Sequence, residues 1–108
     1  LNLLQKKLEK EGYDVHIAKD GKEGVEKIKE IMPDLILLDI VMPKMDGFGF
    51  MEEKNKDKQL KPIPVIVVSN SGQPVELDRA RKLGANDWLI KTEFDPQEVI
   101  KKVKKIIG

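Results

Sequence analysis

The chain has 108 residues, no cysteine, and 20 Lys and Arg against 19 Asp and Glu, a net charge of +1. Without cysteine there are no disulfides, thiolate metal sites or thiol nucleophiles, which fits a reducing, cytoplasmic setting. Balanced charge gives no electrostatic basis for a nucleic-acid or membrane partner, and no apolar run approaches a membrane span.

The length suits one domain, residues 1–108, around one core. The opening stretch LNLLQKKLEKEG places Leu1, Leu4 and Leu8 at helical spacing and stops at Gly12. Val15 to Ala18 reads as a short strand in which His16, the only histidine, is an exposed residue. Asp20 is placed to cap a helix whose Glu23 completes a capping box and whose Val25, Ile28, Ile31 and Met32 share one face.

Leu35 to Leu38 shows no polar alternation, the pattern of a parallel strand covered on both faces, and it runs straight into Asp39. Met42, Pro43 and Met45 read as structural parts of the following loop, with Gly47 permitting its turn. From Phe48 to Leu60 the helical signal is weaker. Phe48 and Met51 share a face, but Lys54 falls where a third apolar residue would continue it. Gly49 also lowers the propensity, so a short or frayed helix is expected.

Val65 to Val68 is the next strand, ending at Ser69. Leu77, Ala80 and Leu83 mark a helical face that Gly84 terminates in a left-handed conformation. Trp88 to Ile90 forms the last strand, ending at Lys91. Asp95 then caps a helix with Pro96 at its first position and Glu98 at its third, with Val99, Ile100, Val103, Ile106 and Ile107 inward. Lys101, Lys102, Lys104 and Lys105 face water. The alternation predicts an α/β fold, a doubly wound parallel sheet from which a first strand is absent.

In such a sheet the strand ends share one edge, and ligands bind there. Asp39, Ser69 and Lys91 bring a carboxylate, a hydroxyl and an ammonium to it, a set suited to an anion bridging to Asp39. Singly, each has a plainer explanation: Asp39 as a turn cap, a task Asp34 or Asp46 performs equally well, Ser69 as a strand-end hydroxyl, Lys91 as a solvated charge. Their coincidence carries the inference.

These motifs resemble the receiver domain of two-component response regulators. PDLILLDIVMPKMDGF is similar to the segment around that family's phosphoacceptor aspartate, PVIVVSN to the strand carrying its hydroxyl, and RARKLGANDWLIK to the stretch ending in its lysine. The spacings, 30 residues from Asp39 to Ser69 and 22 from Ser69 to Lys91, match the family's habit.

The resemblance implies a flavodoxin-like sheet of order 2-1-3-4-5 and a non-enzymatic phosphoprotein. Asp39 would take a phosphoryl group from a histidine kinase or phosphotransfer protein, with Lys91 and Ser69 contacting phosphoryl oxygens. Movement of Ser69 would let Trp88 rotate inward and signal to a downstream protein. Magnesium would be held by Asp39, the main-chain carbonyl of Val41 and an upstream acidic pair.

Three departures qualify these expectations. The family's first strand and its two acids have no counterpart, and Glu9 and Glu11 lie too far along the first helix to replace them. Losing a central strand would leave its two neighbours without their shared partner. So either residues upstream of Leu1 exist in the whole molecule, or another copy donates a strand, as in a swapped homodimer.

Second, Thr92 follows Lys91 where the family has proline, so that peptide is expected to be trans. Third, Asn70 stands where a small residue is common beside the phosphorylation site; Val41, two residues after Asp39, offers no polar group to orient an attacking water, so a long-lived acyl phosphate is expected.

Three rival readings remain open at this point. A haloacid-dehalogenase-like phosphatase would need a general acid at position 41, which is Val. A flavodoxin-like nucleotide binder would need a phosphate-cradling loop after the first strand. A receiver-like module that is never phosphorylated would share every feature except an intact metal site.

Overall fold

The computed structural model describes residues 2–18, 21–40, 46–69 and 74–108, with side chains described throughout except at 21–24, 40, 46 and 47. Five helices, α1 (Asn2–Lys10), α2 (Gly21–Ile31), α3 (Asp46–Lys56), α4 (Pro74–Lys82) and α5 (Pro96–Ile107), alternate with four strands. These are β1 (Val15–Ala18), β2 (Leu35–Ile40), β3 (Val65–Ser69) and β4 (Asp87–Ile90).

All strand pairs are parallel, and the order in space is the order in sequence, β1-β2-β3-β4. Successive right-handed crossovers in one direction put their helices on one face. Ile28 of α2, Phe48, Phe50 and Met51 of α3 and Ala80 of α4 accordingly bury one face of β2 and β3. The other face is covered by Leu4 and Leu8 of α1 with Val99, Ile100 and Val103 of α5. Coverage from both sides explains the unbroken apolar runs in β2 and β3, whose residues Leu35 to Leu38 and Val65 to Val68 are at most 1% exposed.

The structure corrects the expectation that two strands would lack a shared partner. β1 pairs directly with β2, Val15 against Leu35 through Ala18 against Leu38. Backbone groups left without one partner are satisfied by the next parallel strand.

Further expectations are revised by packing. The helix from Phe48 is neither short nor frayed but spans 11 residues, and Gly47 lies inside it. Lys54 completes its inner face because the aliphatic stem is buried while the ammonium donates to the Lys61 carbonyl at 2.9 Å. Ile31 and Met32 point outward, since α2 ends at Ile31 and Met32 leaves it in a left-handed conformation at φ 49°. Ile106 is exposed as well, in the last turn of α5. His16 is half-buried in β1, where burial, reinforced by Lys27, lowers its imidazole pKa despite the opposing Asp14.

Asp95 caps α5 by accepting from the Gln97 amide at 3.0 Å. No cis peptide occurs among the described residues, so Lys91-Thr92 is trans as expected. The Asp20 cap and its Glu23 partner, the Leu1 side chain and the Met42, Pro43, Met45 and Asn70 positions lie outside the described residues.

Gly84 terminates α4 as expected at φ +98°, with Ala85 N–H donating to the Ala80 carbonyl at 2.9 Å. No atom crowds a Cβ built there, so the penalty of a side chain is conformational alone. Gly84→Ala is expected to lower stability by about 1–2 kcal/mol, read from the urea midpoint at constant slope.

Candidate functional site

β2, β3 and β4 end together at the carboxyl edge of the sheet. Four buried leucine and isoleucine positions carry the chain to Asp39, whose side chain is 8% exposed. A carboxylate so buried is unfavourable unless a cation or donor faces it. Lys91, the first residue past β4, supplies the cation, with Nζ 2.9 Å from Asp39 Oδ1. The contact is an approach of opposite charges and not an aligned hydrogen bond, for Oδ1 has no hydrogen-bond partner among the described residues. The Lys91 side chain is 27% exposed, so the ammonium spans the boundary between the buried acid and solvent.

The backbone fixes this meeting. Lys91 N–H donates to the Ser69 carbonyl at 2.8 Å, continuing the β3–β4 ladder one step beyond Ile90 and holding the lysine beside the end of β3. In register, Asp39 pairs with Val68 and Ile40 with Ser69, so Ser69 lies one position further along the edge.

Because side chains alternate, Asp39 and Val68 belong to the face covered by α1 and α5. Ser69 follows Val67 on the face covered by α2 to α4. Trp88 pairs with Val67 and packs against that same cluster. The structure therefore joins Asp39 to Lys91 directly and sets Ser69 and Trp88 on the opposite face of the same edge. Ser69 is 4% exposed. Val41 lies outside the described residues.

The described residues do not by themselves fit a divalent cation. No three His, Cys, Asp or Glu side chains among them lie close enough to hold one. Asp39 itself already faces the Lys91 ammonium.

One feature beside the edge was not legible in the sequence. α4 buries only Ala80 fully, and it is fastened to α3 through polar groups. The Arg79 guanidinium lies 4.5 Å above the Phe48 ring and 3.6 Å from Glu52, while Asn55 Nδ2 donates to the Leu83 carbonyl at 2.7 Å. The signal available was that both arginines of the chain fall in this one helix.

Comparison with known proteins adds independent findings. The family model for the response regulator receiver domain matches residues 1–104. The alkaline phosphatase synthesis transcriptional regulatory protein PhoP of Bacillus subtilis is 38% identical over 107 residues, which are 99% of this chain and 43% of that protein. The chain spans between 40% and 44% of the length of the first three curated relatives it matches.

A putative response regulator from Chloroflexus aurantiacus superposes with a TM-score of 0.81 at 29% identity, covering 98% of this chain and 86% of the other. The Mn(2+)-bound form of response regulator Rcp1 superposes with a TM-score of 0.67, also at 29% identity, covering 97% and 81%. With four parallel strands between two helical layers and an acid paired to a lysine at their carboxyl edge, the chain belongs to the family of response regulator receiver domains.

Proposed function

We propose that Asp39 is the phosphoryl acceptor of this receiver domain and takes its phosphoryl group from a phosphohistidine on a histidine kinase or phosphotransfer protein. The observation that carries this reading is the buried Asp39 carboxylate held 2.9 Å from the Lys91 ammonium, at the sheet edge where ligands enter. In the reaction one Asp39 oxygen bonds to phosphorus as the phosphorus–nitrogen bond breaks. The imidazole departs with the electron pair and takes a proton from solvent, leaving an acyl phosphate.

Lys91 balances the charge that accumulates on the phosphoryl oxygens and, as a flexible point charge, can follow them outward from the carboxylate. Ser69 approaches from the other face of the edge and donates its hydroxyl to a second phosphoryl oxygen. Trp88, on that same face, responds to the change at Ser69, and the weakly buried α4 is the element such a change displaces most easily. Magnesium, when bound to a receiver domain, neutralises phosphoryl charge. The described residues do not by themselves form its site.

The test is incubation with acetyl phosphate and magnesium, followed by intact mass and peptide mapping. A gain of one phosphoryl group on the peptide containing Asp39 is expected. A gain on another residue, or none, removes the assignment.

A further inference from the structure

The helical layer formed by α1 and α5 is strongly basic, whereas α2, α3 and α4 together carry no net charge. Residues 2–12 and 96–108 hold seven lysines against three glutamates, while the rest of the chain is net negative. Much of this positive charge converges on one groove between α1 and α5, about 330 Å³ in volume, whose walls include Lys7, Lys10, Lys101 and Lys104 and whose floor includes the buried Ile100. Glu11 is the only acid among the described residues that line it, and it pairs with Lys104 at 2.8 Å. That pairing raises the Lys104 pKa and leaves Lys7, Lys10 and Lys101 without an ion pair among the described residues. Three like charges around one concavity repel one another, so an anion entering the groove relieves that repulsion.

We propose that this α1–α5 groove is a docking surface for an acidic protein segment that carries an apolar anchor side chain. The apolar floor between two cationic walls matches such a segment, with the anchor over Ile100 and carboxylates along both rims. The alternatives fit less well. The walls contain no arginine and no aromatic side chain, the groups that grip phosphates bidentately or stack bases. A flat bilayer cannot reach the floor of a groove between two helices.

The position has a consequence for the domain. Lys10, Glu11 and Lys104 adjoin the turn where Tyr13 Oη donates to the Gly108 carbonyl, which precedes β1 and lies at the amino edge of the sheet. Docking there leaves the Asp39 edge open, so an acidic partner can stay bound while the phosphoryl group arrives and leaves.

The experiment measures binding of a fluorescent glutamate-rich peptide with one central leucine, by anisotropy at low and at physiological salt. The parent chain is expected to bind, less tightly as salt rises, and more weakly when glycine replaces the leucine. The double variant Lys7→Glu, Lys101→Glu is expected to bind about tenfold more weakly or worse. The control Lys29→Glu, Lys58→Glu makes the same charge change at exposed sites outside the groove and is expected to bind as the parent does. Far-ultraviolet circular dichroism and the unfolding midpoint of each variant show whether the fold is retained, and the control carries the comparison if the groove variant is destabilised.

Failure of the parent to bind overturns the proposal, as does equal weakening in the control. Tighter binding of a DNA duplex or of anionic vesicles assigns the groove to another ligand class. Self-association that disappears in the groove variant makes a second copy the occupant and equally overturns it. None of these readouts depends on phosphorylation of Asp39.

Discussion

Replacing Asp39 with asparagine is expected to abolish phosphoryl uptake and leave the domain as stable as the parent or slightly more so, whereas Lys91→Met destabilises it by about 3 kcal/mol. The asymmetry follows from burial. Asparagine is nearly isosteric with aspartate but neutral, so the variant no longer holds a charge in a position that is 8% exposed. The Lys91 ammonium it leaves behind is 27% exposed and can turn to water.

Removing Lys91 strands a carboxylate whose Oδ1 has no hydrogen bond among the described residues. Breaking a buried pair from that side costs about 3–5 kcal/mol, and the partial exposure of the lysine puts this case at the low end. A double-mutant cycle in urea makes the point testable. In the Asp39→Asn background, Lys91→Met should change the midpoint little. If it destabilises equally in both backgrounds, the two side chains are not coupled and the site's electrostatics have been misread.

The second large effect concerns Lys54, which has no part in the edge. Burial lowers its pKa from 10.5 to about 8, because α3 places the ammonium inside, where it donates to the neutral Lys61 carbonyl. Below about pH 8 the folded and unfolded chains both hold the proton, and the folded state bears the full penalty of the buried charge. Between about pH 8 and 10.5 the unfolded chain keeps a proton that the folded chain has released, so stability rises with pH across that window. The whole rise is about 3 kcal/mol.

Lys54→Met keeps the apolar stem and drops the ammonium. The Lys61 carbonyl it abandons lies in an exposed turn where water replaces the donor. The variant is therefore expected to be more stable than the parent at pH 7 by about 1–3 kcal/mol, with the gap closing by pH 10.5. Urea unfolding of both proteins across the range reads this directly, and a gap that stays constant with pH contradicts a desolvated ammonium.

How far sequence alone reached can be judged from particular residues. β2 and β3 stood out because Val, Ile and Leu run without polar interruption where a strand is covered on both sides. The start of α5 was legible from Asp95 and Pro96, since capping is local chemistry that needs no distant partner. Asp39 and Lys91 were legible as strand-end polar residues, and their ion pair follows from parallel strands ending at one edge.

Residues whose environment depends on distant segments were harder to read. Lys54 resembled a break in an apolar face because nothing nearby in sequence announces the Lys61 carbonyl waiting for it. Ile31, Met32 and Ile106 fit a helical stripe, but each lies at or just past a helix end, beyond the sheet that the stripe covers. The direct β1–β2 pairing was invisible for the same reason, because which strand lies beside which is decided by the whole sheet.

Because each described strand after the first lies beside the one immediately before it, building the sheet bridges a single crossover at each step. Each new strand finds its template already laid down by the preceding unit. The entropy lost in closing each of these loops is small, whereas the layer shared by α1 and α5 joins the two ends of the chain and closes only when the last helix has formed.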